Sequence, residues 1–267
     1  MARTISSGAA NTVEIDNDVL RKLAEYPTPT VSNVIELFEV RPKDEGFLGA
    51  EIKALHPEHP PVVGFAATAT LRSAAEPHAN EKETSFAKLL EMMLDLPEPR
   101  IAVFQDLDRP PRGGTVGECV ASALAAFGAK AVVTSGYARD IKEVAERGFP
   151  IFARGISPSH GYGRTVDVMV PVEIANQRIS PGTLIHADVN GVVIVPREIA
   201  PWVAAALEDF ERVEREYREG FDRYGTEADP WAIMETAHRK LALLQERIVS
   251  MWKRGKRPDL GKTLLDW

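Results

Sequence analysis

The chain has 267 residues, 44% hydrophobic and 27% charged, with a formal net charge of -7; that length suits one large domain or two small ones, and that balance is the one of a globular protein rather than a disordered or fibrous one. With 39 acidic against 32 basic residues it lacks the basic footprint of sequence-independent nucleic-acid binding, and no run approaches the roughly 18 apolar residues of a membrane helix. Cys119 is the single cysteine, which excludes an intramolecular disulfide and a cysteine-rich zinc site.

Residues 1–17 are small and polar and predict a flexible N-terminus; the absence of an apolar stretch there, together with the lone cysteine, predicts a cytoplasmic protein with no nucleic-acid or membrane partner. Helical spacing follows over 18–24 and 32–38, with Pro27 and Pro29 expected to keep the two segments apart. Residues 61–71 read as a strand and 84–96 as an amphipathic helix. A pattern then repeats: strand 101–106, Gly/Pro-rich loop 109–116, helix 117–128, strand 129–136, helix 139–148, strand 149–155. Such alternation predicts an α/β fold with a mostly parallel sheet, whose sites lie beyond the carboxyl ends of the strands. Past Ser157 the chain changes to short β-type runs, with a turn at Pro181–Gly182 and a hairpin signal at Asn190–Gly191, so this half reads as antiparallel. From Arg197 it is helical, with a break at 224–230 and a last helix over 231–253. The layout is therefore an α/β domain over 18–215 and a helical extension over 216–267. The helical period of that extension and the tryptophans at 202, 231, 252 and 267 predict packing against the core or a neighbouring subunit.

The stretch SGYARD, residues 135–140, puts an arginine and an aspartate together where a strand meets a helix. Asp140 with Glu143 fits a capping box, which needs no function. Arg139 is either a surface residue paired with Glu143 or Glu146, or a fork that grips a carboxylate or carbonyl oxygen. Glu118 either favours the positive end of its helix dipole or joins Arg139 and Asp140 across one crevice, where two acids and an arginine suit a hard divalent cation and an oxyanion. The N–H groups of Cys119 and Val120 at the same helix start, after Gly117, suit a substrate carboxylate. Tyr137 reads as lining or supporting that pocket. His160 in SPSHGYGR reads first as an exposed loop histidine able to reach the site, His186 as a packed strand position, and Asp188 as a turn acid.

Glu118, then twenty residues, Arg139–Asp140, two residues and Glu143 resemble the acidic-X20-Arg-Asp-X2-acidic signature of the RraA-like family. That family includes class II 4-hydroxy-4-methyl-2-oxoglutarate/4-carboxy-4-hydroxy-2-oxoadipate aldolases and a ribonuclease E inhibitor. The resemblance extends to FPIFARGISP, PVEIANQRISPG and HADVNGVVIVP and covers residues 20–215; Ser135, Thr183 and Cys119 depart from it. It implies a compact swivelling β/β/α core similar to a phosphohistidine domain, a homotrimer or homohexamer, and Mg²⁺ or Mn²⁺ held by Asp140. Glu118 would act on that ion through a water, with Glu143 behind. Arg139, Gly117, Cys119, Val120 and Tyr137 would bind a 2-keto acid. The implied activity is metal-dependent retro-aldol cleavage or decarboxylation that releases pyruvate; the alternatives are an enzyme of another hydroxy, keto or sugar acid, and a non-catalytic regulator that binds a ribonuclease.

Overall fold

The computed structural model describes residues 13–77, 81 and 83–265; Trp267 and most of the expected flexible N-terminus lie outside them. Helix α1 (Asn17–Ala24) is capped by Asp16, which accepts from Val19 N at 2.9 Å, and buries Val19, Leu20 and Leu23. Helix α2 (Thr28–Glu36) holds Pro29 within its first turn, where a missing N–H costs nothing. Pro29 therefore starts the second helix instead of separating it from the first, and α2 begins four residues earlier than its apolar spacing indicated.

Strand β1 (Lys53–Ala54) lies at a sheet edge, and β2 (Val62–Arg72) is the longest strand. Nine consecutive residues of β2 are buried, as expected of a strand covered on both faces. Then come α3 (Phe86–Met93), β3 (Arg100–Asp106), β4 (Gly114–Val116), α4 (Glu118–Ala126), β5 (Ala129–Thr134), β6 (Tyr137–Ala138), α5 (Ile141–Glu146), β7 (Ile151–Ala153) and β8 (Gly155–Ile156). The second half supplies β9 (Arg164–Val168), the hairpin of β10 (Val172–Ile174) and β11 (Gln177–Ile179), and the hairpin of β12 (Leu184–Asp188) and β13 (Gly191–Val195).

The main sheet runs β1-β7-β5-β3-β2-β12-β13, with β9 also on β2. Strands β2, β3, β5 and β7 are parallel; β12 and β9 join β2 antiparallel along its two halves, with Phe65 opposite Leu184 and Ala69 opposite Val168. This is the mixed α/β architecture that the alternating first half and the turn-rich second half predict. The β12–β13 pairing closes at Asp188 opposite Gly191, as the Asn190–Gly191 signal indicates. Asp188 also accepts from Thr28 N at 2.8 Å, while His186, fully buried, joins Thr28 Oγ1 and Leu23 O at 2.9 and 3.0 Å. Both residues fasten the first helices to the hairpin.

A second sheet, β4-β6-β8, is all parallel. Its residues read in sequence as loop or as the ends of neighbouring strands, because two- and three-residue strands carry no periodicity.

The C-terminal helices are α6 (Ala200–Tyr224) and α7 (Pro230–Lys253). Helix α6 runs unbroken past residues 215 and 216, and its first three turns are buried against α1 and α2. Helix α7 folds back along α6 and sinks Leu244 and Ile248 into the same core. The segment after it is stitched down: Asp209 accepts from Leu264 N and Leu265 N, and Trp202 Nε1 donates to Lys256 O at 3.0 Å. Trp252 meets Phe38 edge to face, whereas Trp231 is 81% exposed. No described helix is long and apolar enough to cross a membrane.

Candidate active site

The small sheet sets the site. Strand β4 leads into Gly117 and α4, while β6 leads into Arg139 and Asp140. The two strands pair with Val116 opposite Ala138, and Arg139 N donates to Val116 O at 2.8 Å. The start of α4 and the Arg139–Asp140 pair are thus cross-strand neighbours.

Asp140 precedes α5 but makes no side-chain cap to it. Its backbone is left-handed, φ 55°, a conformation that costs of order 1 kcal/mol for a residue with a side chain and that aspartate tolerates better than most. That twist turns the carboxylate away from its own helix, and Oδ2 accepts instead from Glu118 N of α4 at 3.0 Å. The capping-box reading is therefore overturned: Asp140 caps the neighbouring helix. Gly117 makes the approach possible, since a Cβ there would lie 2.5 Å from Asp140 Oδ2 and 3.0 Å from Arg139 Cγ.

Helix α4 has no side-chain cap of its own. Its first N–H groups have no intrahelical partner; Asp140 takes that of Glu118, which leaves those of Cys119 and Val120 for a ligand. Arg139 Nε stands 3.6 Å from Asp140 Oδ2, each side chain 36% exposed. Neither Glu143 nor Glu146 pairs with Arg139 among the described residues; Glu143 is exposed on the first turn of α5. The Glu118 carboxylate is drawn to Arg147 at the end of α5, whose Nη2 and Nε donate to Oε1 at 2.6 and 3.1 Å. Sequence reading passed over Arg147, which looks like any surface cation on a short helix.

Beside this corner lies a cavity of about 270 Å³ lined by Gly117, Cys119, Arg139, Thr115 and His160. Leu71, Phe86, Phe104 and Val120, which belong to one apolar cluster, line it too, as do Arg164 and Thr165. Tyr137 does not line it and faces Gly155 of β8 instead. His160 does, and it does so from an exposed loop, as its sequence suggested. Its loop is seated on Gly113, where a Cβ would meet His160 O at 2.3 Å, and by Gly114 N donating to Ser159 O at 2.7 Å. His160 Nδ1 lies 2.7 Å from Gly161 O; a carbonyl only accepts, so Nδ1 carries the proton and Nε2 of the neutral ring is an acceptor. The apolar wall also escaped sequence reading, because Leu71, Phe86 and Phe104 come from three separate elements.

Behind the corner, Ser135 Oγ accepts from Asp106 N at 2.9 Å. Burial pushes the Asp106 carboxyl above the usual carboxylate range, against the opposing hydrogen bonds from Ser73 Oγ and Asp108 N. Among the described residues no cluster of three His, Cys, Asp or Glu side chains could enclose a metal ion. The partly exposed Asp140 carboxylate is a single acidic group, a donor set that fits only a cation taking one or two carboxylates and keeping most of its waters, the habit of Mg²⁺.

The chain has known relatives. Residues 28–194 match the RraA-like family, described as Aldolase/RraA. An uncharacterized protein of Methanocaldococcus jannaschii, MJ0644, is 30% identical over 93 residues, 34% of this chain and 45% of that protein. The chain spans less than half the length of the curated relatives it matches. The solved structure of an uncharacterized protein from Pseudomonas syringae pv. tomato superposes with a TM-score of 0.68 at 23% identity, over 87% of this chain and all of that one. Streptomyces coelicolor RraAS2, described as an unusual member of the RNase ES inhibitor RraA family, gives 0.63 at 24% identity, over 77% and 99%. At these identities the structures show a shared fold, while the family match spans more than half of the sequence. The chain belongs to the RraA-like, Aldolase/RraA, family.

Proposed function

We propose that the protein is a carbon–carbon lyase that releases pyruvate from a 2-keto acid. The observation that carries this reading is the cavity lined by Arg139 and by Cys119 and Val120 at the start of α4, with Asp140 3.6 Å from Arg139. Arg139 would hold the keto-acid carboxylate or keto oxygen with its planar fork, and the helix start would add unpaired donors and a positive dipole end. Mg²⁺ or Mn²⁺, held by Asp140 with Glu118 acting through a water, would supply Lewis acidity toward the keto oxygen when bound.

Cleavage breaks the C3–C4 bond and leaves its electron pair in the enolate of pyruvate. Fixed donors at Arg139 and α4 favour that developing negative charge more strongly than the neutral ketone, which is what lowers a barrier. The C4 hydroxyl proton must leave as C4 becomes a carbonyl; His160 Nε2, an acceptor in the same cavity, is the atom we assign to it. Loss of CO₂ from oxaloacetate reaches the same enolate without that proton transfer. Arg147 keeps Glu118 oriented, and Gly117 keeps Asp140 against α4. A homotrimer or homohexamer belongs to the same proposal and is checked by sedimentation.

The test is pyruvate release, by a coupled assay, from oxaloacetate and 4-hydroxy-4-methyl-2-oxoglutarate with Mg²⁺ or Mn²⁺ and then with EDTA. Turnover that EDTA removes and that Asp140→Ala abolishes in a folded protein is the expected result. Pyruvate from neither compound nor from any other 4-hydroxy-2-keto acid, under either metal, would overturn the lyase reading.

A further inference from the structure

The cavity is chemically two-sided. Arg139 and the start of α4 form its polar end, while Leu71, Phe86, Phe104 and Val120 form an apolar wall. Phe86 and Phe104 meet edge to face, centroids 6.5 Å apart at 82°. Phe104 is 1% and Leu71 6% exposed, so this wall is anchored in the core of the sheet. A surface of that kind rewards an apolar group that leaves water and penalises a charged one that arrives without a partner.

The second cation on the wall, Arg164, does not change this. Its Nη2 donates to Glu81 at 2.6 Å and its Nη1 to Ala75 O at 2.6 Å; the side chain is only 7% exposed, and its Nε is buried without a partner. A carboxylate placed there would compete with Glu81 for the one positive charge, and Glu81 is itself also bound to Arg72 at 2.8 Å. Among the described residues that line the cavity, Arg139 is the cation left for a substrate, with Asp140 at 3.6 Å as its ion-pair partner.

We propose that the substrate carries one carboxylate, that of its 2-keto acid end, and an uncharged apolar substituent at C4, aliphatic or aromatic, that lies on Phe86, Phe104 and Leu71. This rests on the lyase reading above and narrows it away from dicarboxylic aldols. The volume of about 270 Å³ is near the lower end of ligand pockets, roughly 300–1,000 Å³, so it accommodates a keto acid with one ring or one branched chain. The reaction balances without a further reagent: C3–C4 breaks, the hydroxyl proton goes to the base, a proton returns to C3, and the products are pyruvate and an apolar aldehyde or ketone.

Two measurements on the full chain with Mg²⁺ test this separately from the lyase reading. The first compares kcat/KM for pyruvate release from 4-hydroxy-2-oxo-4-phenylbutanoate and from 4-hydroxy-4-methyl-2-oxoglutarate. The second compares calorimetric Kd values of phenylpyruvate and 2-oxoglutarate, which have no C4 hydroxyl to cleave. The apolar member of each pair should win by at least about tenfold, the scale on which hydrophobic pockets discriminate. Phe86→Ala, at a half-buried position, should erase most of that margin, and Phe86→Arg should shift it toward the dicarboxylates. Equal or better use and binding of the dicarboxylates would overturn the proposal and leave the lyase intact. No pyruvate from either compound, nor from oxaloacetate or any other 4-hydroxy-2-keto acid, would overturn the lyase reading, and the calorimetry would still decide this one: tighter phenylpyruvate supports it, while tighter 2-oxoglutarate or no binding of either sinks it.

Discussion

Gly117→Ala isolates the contact on which the site is built. The backbone at Gly117 is extended, φ -141°, so alanine meets no conformational penalty there and the effect is purely one of space. The new methyl would sit 2.5 Å from Asp140 Oδ2, whereas ordinary contact begins at 3.4 Å. The carboxylate must retreat by about 0.9 Å, and a retreat of that size along the bond stretches the Glu118 N–H contact from 3.0 Å beyond hydrogen-bond range. Loss of a helix cap costs about 1 kcal/mol, which in a chain of this size lowers the melting temperature by about 2–4 °C. Catalysis should suffer far more, because an ångström of misplacement at a reacting centre costs about 10²-fold. Thermal melting and the coupled pyruvate assay on the same sample measure both. Unchanged activity, with the melting temperature also unchanged, would show that Asp140 does not need its place against α4.

Other perturbations reach different parts of the molecule. Arg147→Ala removes the partner of Glu118 across a half-exposed pair; stability should fall by less than about 1 kcal/mol, while kcat/KM at limiting Mg²⁺ falls several-fold, and equal metal response in both proteins would refute the orienting role. Burial holds the His186 imidazole below its usual range, so the folded chain keeps it neutral while the unfolded chain protonates it below about pH 6.5. Its contribution is therefore present above that pH and is lost as pH falls toward the depressed folded value; urea midpoints should drop over that interval and drop less in His186→Gln. Leu244→Ala, at a fully buried position of α7, should cost about 2–5 kcal/mol. A loss under about 1 kcal/mol in denaturant titration would mean that α7 is not part of the core.

The broad architecture was legible because it rests on long-period signals. Strand–helix alternation between 101 and 155 produced the parallel strands, and the Asn190–Gly191 turn produced the hairpin that closes the sheet. The meeting of Glu118 with Arg139 and Asp140 was legible from their places at neighbouring strand-to-helix junctions of a parallel sheet. What Asp140 does there was not, since the N–H group it accepts from belongs to a neighbouring helix and not to the residues that follow it in sequence. Strands β4, β6 and β8 were hidden by their brevity. The apolar wall was hidden by distance, because Phe86 and Phe104 become neighbours only when α3 packs on the sheet. Pro29 misled for a simpler reason: proline breaks a helix interior but is at home in a first turn.

The pairing of β4 with β6 bears on how this corner tolerates change over evolutionary time. Val116 faces Ala138 by strand register, and everything between them is a detour through α4 and β5. The twenty residues that separate Glu118 from Arg139 are thus the length of that excursion rather than a measure of the distance between the two groups. An insertion at the C-terminal end of α4, where Ala125 and Ala126 are exposed, should lengthen the interval and leave the corner intact, whereas a single-residue slip between β4 and β6 would dismantle it with the count unchanged. A search for distant members of this family by fixed spacing would discard the first kind of chain and retain the second.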